Sequence, residues 1–241
     1  MADYIQNMTR DLKIYFDAIK EDYMNSKDKD FFRFTGTQIY CGRQGMGKTI
    51  SAVRDVLRLL KRFPKAKLVT NVQLTIDRNE YPNEIIIFTE MDQLAELLTT
   101  VNNGKLGVIY LIDEIQTYFN ALDSKNIPIY VFTEISQQRK QRKLIIGTSQ
   151  LFLRLAKPFR EQCSNLIMCK TYLGIITTCK AYDGEDISID DDGNIISTKK
   201  RGRMFFQSMK LRNSYDTFQK VVSGSVDGIM VDRNNPSKRK K

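Results

Sequence analysis

A glycine-rich octapeptide, GRQGMGKT at residues 42–49, constrains the fold of this chain more than any other feature. It follows a short apolar segment that ends at Cys41, and it precedes apolar residues at helical spacing: Ile50, Val53, Leu57 and Leu60. A strand, a glycine turn and a helix in this order direct several backbone N–H groups and the positive end of a helix dipole at one point. The sequence therefore predicts an anion-binding loop, and the spacing G-x-x-x-x-G-K-[ST] is typical of a loop that holds nucleotide phosphates.

Each part of this loop has a predicted role. Glycines let the backbone wrap a phosphate, Lys48 would reach the β- and γ-phosphates, and the Thr49 hydroxyl would bind Mg²⁺. ATP and Mg²⁺ are the expected cofactors. The predicted nucleotide-binding residues are Gly42, Arg43, Gln44, Gly45, Met46, Gly47, Lys48, Thr49 and Ile50.

The surrounding chain alternates short apolar strands with amphipathic helices, which predicts an α/β fold with a parallel central sheet at residues 35–164. A helix at 4–23 and a linker are predicted within residues 1–34. A β-rich extension with a basic tail is predicted at 165–241, with turns at 183–184 and 192–194. The predicted core strands are 37–41, 67–70, 85–88, 108–113 and 144–148, and helices are predicted around 50–60, 91–101 and 129–135.

Composition narrows the chemistry. The 241 residues include no histidine, so Ser-His-Asp and Cys-His nucleophiles and histidine-ligated zinc are excluded, and proton transfer falls to carboxylates, lysine, tyrosine or water. The formal net charge of +10 indicates an anionic partner. Four cysteines without C-x-x-C spacing are typical of reduced, intracellular protein. Since no apolar run is long enough to span a membrane, we expect no membrane insertion and a cytoplasmic location.

A second motif, VIYLIDE at 108–114, is an apolar strand that ends in two carboxylates. Carboxyl ends of parallel strands meet the ligand crevice of an α/β sheet. Asp113 is therefore predicted to bind Mg²⁺ through water, and Glu114 to orient or deprotonate the attacking water. Acidic pairs at strand ends are commonly just solvated, and the loop at 42–49 is what favours the catalytic interpretation.

The basic segment QQRKQRK at 137–143 closes the third predicted helix. We interpret Lys140 and Lys143 as complementing the dipole of that helix. Two interpretations stay open for Arg139 and Arg142: the same one, or contact with the γ-phosphate bound by a neighbouring subunit. Gln150, at the end of the next strand, would contact the γ-phosphate or water.

Together, GRQGMGKT, LIDEIQTYF, QQRKQRK, LIIGTSQ and MKLRNSYDTF resemble the zonular-occludens-toxin-like branch of the FtsK–HerA ATPases across residues 35–220. The resemblance implies a P-loop NTPase of the additional-strand, catalytic-glutamate type. It also implies that Gln150 is a sensor and that Arg139 is the first choice for a finger acting in trans. Asn71 would restrain Glu114 until DNA engages, although an asparagine after a strand is more often a turn former.

The same resemblance implies a ring motor of roughly five or six subunits that translocates double-stranded DNA, as in phage genome packaging. A viral portal or docking protein is then a further partner, in the cytoplasm of the host cell. One alternative is a membrane-partnered assembly or export ATPase, although filamentous-phage members carry a membrane span after the ATPase region and this chain has none. A non-processive ATP-dependent DNA-binding module is the other alternative.

Residues 193–215 contain basic side chains without any Asp or Glu, which predicts phosphate contacts with DNA. A solvated basic face is the alternative interpretation. The predicted DNA-binding residues are Lys199, Lys200, Arg201, Arg203, Lys210 and Arg212.

Overall fold

The structure, a computed structural model, describes residues 27–216 except 123, 185–186, 190–194 and 197–198, together with Phe16, Lys20 and Met24. Phe16 and Lys20 are helical, and the rest of the helix predicted at 4–23 lies outside the described residues. The turn predicted at 192–194 and the basic C-terminal tail also lie outside them.

Ten strands, five α-helices and four short 3-10 helices have both ends within the described residues. The helices are α1 (Lys48–Arg62), α2 (Met91–Thr100), α3 (Ile129–Ser136), α4 (Lys157–Arg160) and α5 (Met209–Arg212). The strands are β1 (Gly36–Cys41), β2 (Lys67–Thr70), β3 (Ile85–Ile87), β4 (Val108–Ile112), β5 (Lys143–Ser149), β6 (Cys163–Tyr172), β7 (Ile176–Asp183), β8 (Ser188–Ile189), β9 (Ile195–Ile196) and β10 (Lys199–Phe206).

One sheet of eight strands organises the molecule, in the order β10-β7-β6-β1-β5-β4-β2-β3. From β6 to β3 the strands run parallel, whereas β7 pairs antiparallel with β6 and β10 pairs antiparallel with β7. Strand β5 lies between β1, which leads into the glycine loop, and β4, which ends at the carboxylate pair. This order confirms the predicted parallel central sheet and its additional strand.

Both faces of the sheet are covered, as the apolar sequences of its central strands require. Neighbouring residues of one strand point to opposite faces: Tyr40 packs in the cluster that includes α1, and Ile39 in the cluster that includes α2 and α3. Each of these clusters contains fully buried side chains from β4 as well. The central strands are thereby fixed from both sides, and their carboxyl ends form a firm base for a site.

The C-terminal strands continue the core sheet. The predicted boundary at 164/165 falls inside β6, which pairs with β1 in parallel. The β6–β7 hairpin turns through Leu173 and Gly174, which have φ of 50° and 68°. The segment predicted to turn at 183–184 lies at the end of β7. Among the described residues no helix is long and apolar enough to cross a membrane.

The sequence interpretation of Lys143 is wrong, because this lysine does not complement the dipole of α3. It is the first residue of β5 and is buried, and burial lowers its pKa. Its Nζ donates to the carbonyl of Leu98 in the last turn of α2, and Glu134 lies 3.7 Å away. The lysine therefore caps a different helix, one that the sequence pattern could not indicate.

Candidate active site

The glycine loop connects the carboxyl end of β1 to the amino end of α1. Gly45 and Gly47 both have φ of 77°, a left-handed conformation that favours glycine, and Gly47 caps the helix. Lys48 is only 6% exposed, and its Nζ donates to the carbonyl of Arg43 across the loop at 3.3 Å. The chain thus forms a glycine loop between β1 and α1, with the Lys48 side chain folded over it.

The β6–β7 hairpin supports this loop from one side. A Cβ atom on Gly47 would lie 2.5 Å from Oγ1 of Thr171 and 3.0 Å from Oγ1 of Thr177. These threonines face each other across the hairpin, and their hydroxyls are hydrogen bonded at 3.0 Å. Only glycine fits at position 47, because both the backbone angle and the space require it.

Asp113 directly follows β4 and receives two hydroxyl groups on one oxygen. Thr49 donates to Oδ1 at 2.8 Å, and Thr148 of β5 donates to the same atom at 2.6 Å. A threonine hydroxyl beside a carboxylate suits Mg²⁺, which takes few protein ligands and completes its shell with phosphate oxygens and water. Within the described ranges no three His, Cys, Asp or Glu residues cluster, so such an ion would depend on Thr49 and Asp113.

Asn71 fixes the backbone of Asp113. Its Nδ2 donates to the Asp113 carbonyl at 2.9 Å, and the Asp113 N–H donates to its Oδ1 at 2.8 Å. The sequence predicts a restraint of the Glu114 carboxylate by this asparagine, but the group that donates to that carboxylate here is Nε2 of Gln116. Asn71 therefore helps to position Asp113, the residue before Glu114.

Glu114 has an unusual backbone. Its φ of 49° is left-handed, a conformation that costs a residue with a side chain roughly 1 kcal/mol or more. The Glu114 N–H donates to Oγ1 of Thr148 at 2.9 Å, which helps to hold this geometry. The strained turn directs the carboxylate into the crevice beside Asp113, where an attacking water would lie.

These groups surround a cavity of about 710 Å³. Its walls come from the glycine loop, from Asn71, from Asp113 and Glu114, and from a C-terminal segment that includes Arg212 and Tyr215. Gln150 follows β5 and is half-buried. The cavity combines the glycine loop, the Lys48 ammonium, the Thr49–Asp113 pair and the Glu114 carboxylate, and these groups fit a nucleotide with its Mg²⁺.

The sequence matches the family described as zonular occludens toxin (Zot) over residues 36–219. The chain belongs to this family. Among solved structures it is similar to the N-terminal domain of zonular occludens toxin from Neisseria meningitidis, with 18% identity, a TM-score of 0.51, and coverage of 75% of this chain and 98% of that one. This likeness and the strand order confirm the P-loop NTPase fold.

Two further solved structures are similar to this Zot-family chain. B204, the DNA-packaging ATPase from Sulfolobus Turreted Icosahedral Virus, has 15% identity and a TM-score of 0.48, covering 67% of this chain and 95% of that one. The RadB recombinase has 13% identity and a TM-score of 0.47, covering 75% of this chain and 89% of that one. A comparison with curated proteins returns no match.

The two candidate finger arginines of the Zot-family chain lie just before the amino end of β5, the central strand. Arg139 is exposed after α3, and the guanidinium of Arg142 lies 4.1 Å from the ring centroid of Phe31. Both precede β5, whereas the glycine loop lies at the carboxyl ends of the strands. The seven residues of β5 span about 23 Å, so neither arginine lies beside the nucleotide cavity of its own subunit.

The predicted DNA-binding residues are divided by the fold. Arg203 points inward, where its Nη2 donates to the Asp55 carboxylate and to the Tyr40 hydroxyl. Lys210 is exposed and lies 2.8 Å from Glu80.

The other predicted DNA-binding residues lie apart from these two. Arg212 lines the nucleotide cavity. Arg201 is exposed on β10, the edge strand, which also contains Lys199 and Lys200; the side chains of these two lysines lie outside the described part.

Sequence reasoning missed several groups that the fold brings to the cavity or to the carboxylates that line it. Thr148 and Gln116, which bond to Asp113 and Glu114, lie within motifs already singled out, LIIGTSQ and LIDEIQTYF, yet neither spacing assigned them a role. Gln207 and Tyr215 line the cavity and lie far along the chain from the loop, and the signals near them were the basic stretch at 193–215 and the segment MKLRNSYDTF.

Proposed function

We propose that this Zot-family protein is an Mg-ATP-hydrolysing ring motor that translocates double-stranded DNA, as in viral genome packaging. The observation that carries the proposal is the Asp113 carboxylate, which accepts from Thr49 and Thr148 beside Glu114 and opposite the glycine loop. A metal carboxylate and a separate base at the ends of a strand-inserted sheet serve hydrolysis of a phosphoanhydride. A passive binding site has no need of the base.

The residues divide the work as follows. Backbone N–H groups of the loop and Lys48 hold the phosphates, and Thr49 with Asp113 would hold Mg²⁺, which neutralises charge on the phosphate oxygens. Glu114 accepts a proton from the attacking water and keeps that water in line. Gln150, beyond β5, would sense the γ-phosphate.

A ring would bring a finger arginine to the nucleotide. Lys48 and Arg212 are the cationic side chains among the residues that line the cavity, whereas the exposed Arg139 lies before the amino end of β5. In a head-to-tail ring one subunit's arginine meets the next subunit's nucleotide. DNA would then pass along basic groups of the extension, and a portal or docking protein would seat the ring on a capsid.

The direct test measures ATP hydrolysis with and without double-stranded DNA, together with movement along tethered DNA. Hydrolysis that DNA stimulates, with directional movement, supports the motor. Hydrolysis indifferent to DNA would contradict translocation. Salt-resistant flotation with lipid vesicles would instead favour an export ATPase with a membrane partner.

Arg139→Ala is expected to lower hydrolysis in the assembled ring to roughly the rate of an isolated subunit. Mixing it with Lys48→Ala subunits should restore part of the activity, because the latter keep the arginine and the former keep an intact cavity. The exposed neighbour offers the control, Lys140→Ala, which should behave as wild type. Wild-type hydrolysis by assembled Arg139→Ala rings would disprove the shared site.

The logarithm of affinity for duplex DNA falls as the logarithm of the salt concentration rises. Replacing Lys199, Lys200 and Arg201 together with alanine is expected to reduce the magnitude of this slope by about 2.7, roughly 0.9 for each phosphate that is no longer neutralised. Filter binding over a range of salt concentrations measures the slope. Lys157→Ala is the control, since that lysine is exposed on α4 and is not among the predicted DNA-binding residues. An unchanged slope in the triple variant would place the DNA contacts elsewhere.

A further inference from the structure

The segment from Gln207 to Asp216 forms one wall of the nucleotide cavity. It is tied to the chain just after β2: Thr75 N–H donates to the Ser214 carbonyl at 2.8 Å, and Leu74 and Tyr215 form an antiparallel bridge. The wall is therefore held in place from a part of the core next to Asn71, and its side chains have defined positions in the cavity.

Arg212 is the cation of this wall. Its Nη2 donates to the carbonyl of Gly174 in the hairpin turn and to Oε1 of Gln207 at 2.8 Å. Its Nε is buried, and within the described part of the chain it has no hydrogen-bond partner. A guanidinium has five N–H donors, and a buried donor without an acceptor is costly. Arg212 thus lines the cavity, and its Nε–H is not used in a hydrogen bond within the described part of the chain.

A chain of hydrogen bonds sets the position of Arg212 relative to the glycine loop. Gln207, which accepts from Arg212, donates through Nε2 to Oγ1 of Thr177 at 2.7 Å. Thr177 is bonded to Thr171, and both lie against Gly47. These hydrogen bonds therefore fix the position of the Arg212 guanidinium relative to the glycine loop.

Two cationic side chains of the cavity suit a phosphate ligand. The charged residues among those that line it are Asp113, Glu114 and Asp216, which are acidic, and Lys48 and Arg212, which are basic. Burial raises the pKa of Tyr215 to about 12, with Asp113 adding to the rise, so this neighbour keeps its proton. A Mg²⁺-bound triphosphate in the cavity would offer further acceptors to the Arg212 guanidinium.

We propose that Arg212 is a second phosphate-binding cation of the nucleotide site, acting in its own subunit alongside Lys48. The inference rests on the proposed ATPase function and deepens it. It moves Arg212 from the DNA-binding set to the ATP-binding set, and it makes the C-terminal segment a working part of the site.

The test measures the affinity of the full chain for ATP and for ADP, each with Mg²⁺, by calorimetry. Arg212→Ala is expected to weaken ATP binding by about tenfold or more. Arg212→Lys, which keeps the charge, should retain much of the affinity. Arg154→Ala is the matched control, since it removes an exposed arginine that does not line the cavity, and it should bind ATP as wild type does.

Other outcomes overturn the inference. ATP affinity of Arg212→Ala within about twofold of wild type, together with weaker DNA binding, would return Arg212 to a DNA role. Equal losses of ATP affinity in Arg212→Ala and Arg212→Lys would indicate that Arg212 only stabilises the hairpin turn. Thermal unfolding without nucleotide checks that both variants fold. If wild type itself does not bind ATP, or if Lys48→Ala binds it equally well, the proposed function is wrong. Normal ATP binding by Arg212→Ala alone would contradict this inference and leave the proposed function standing.

Discussion

Glu114→Gln is expected to slow ATP hydrolysis by about 10²- to 10⁴-fold while leaving ATP affinity close to that of wild type. The amide keeps the size of the side chain but cannot accept the proton of the attacking water. Binding should persist because the phosphate cradle and the Thr49–Asp113 pair do not depend on this carboxylate. Single-turnover hydrolysis and equilibrium ATP binding, measured on the same preparation, separate the two effects.

Glu161→Gln provides the control, because Glu161 is an exposed carboxylate that pairs with Lys157 on the surface. It should hydrolyse ATP at the wild-type rate. Rapid turnover by Glu114→Gln would remove Glu114 as the base. A loss of ATP binding equal to the loss of hydrolysis would instead assign it a role in holding the nucleotide or the metal.

Gly47→Ala should destabilise the fold by about 3 kcal/mol and abolish measurable ATP binding at concentrations that saturate wild type. A left-handed alanine costs about 1–2 kcal/mol, and forcing a Cβ atom against Thr171 adds about 1–3 kcal/mol. Because this residue begins α1, its displacement moves the N–H groups that bind phosphate. Urea unfolding without nucleotide and ATP calorimetry give the two quantities.

Gly45→Ala separates the causes, since Gly45 has the same φ of 77° but no heavy atom lies within 4 Å of the position that a Cβ atom would take there. It should lose only the conformational part, about 1 kcal/mol. Thr171→Ala combined with Gly47→Ala should recover part of the stability, because the opposing hydroxyl is gone. Identical behaviour of the two glycine variants would show that the hairpin does not constrain the loop.

The parts of the candidate site that depend on short stretches of chain could be predicted from the sequence. The glycine loop and the carboxylates after β4 depend on short stretches of chain, where backbone angle, helix dipole and residue type must agree, so GRQGMGKT and LIDE placed Lys48, Thr49 and Asp113 in one crevice. Alternation of apolar strands with helices gave the parallel core. The short distances within each motif explain this success.

Contacts between distant parts of the chain could not be predicted from the sequence. Arg203 and Arg212 belong to one basic stretch in the sequence, yet the first meets Asp55, 148 residues away, and the second enters the nucleotide cavity. A run of charges shows that cations are present and says nothing about which anion each will face. Likewise, the position of Asn71 indicated proximity to the catalytic pair, but hydrogen-bond geometry decides that it holds the Asp113 backbone.

The pairing of β6 with β1 has a practical consequence for any shortened version of the protein. Cutting after residue 164 would remove most of β6 and all of β7 and β10, and β1 would become an edge strand with unsatisfied N–H and C=O groups. An open, apolar edge is a template for strand addition and aggregation. The smallest soluble fragment that keeps the nucleotide site should therefore extend at least to residue 216.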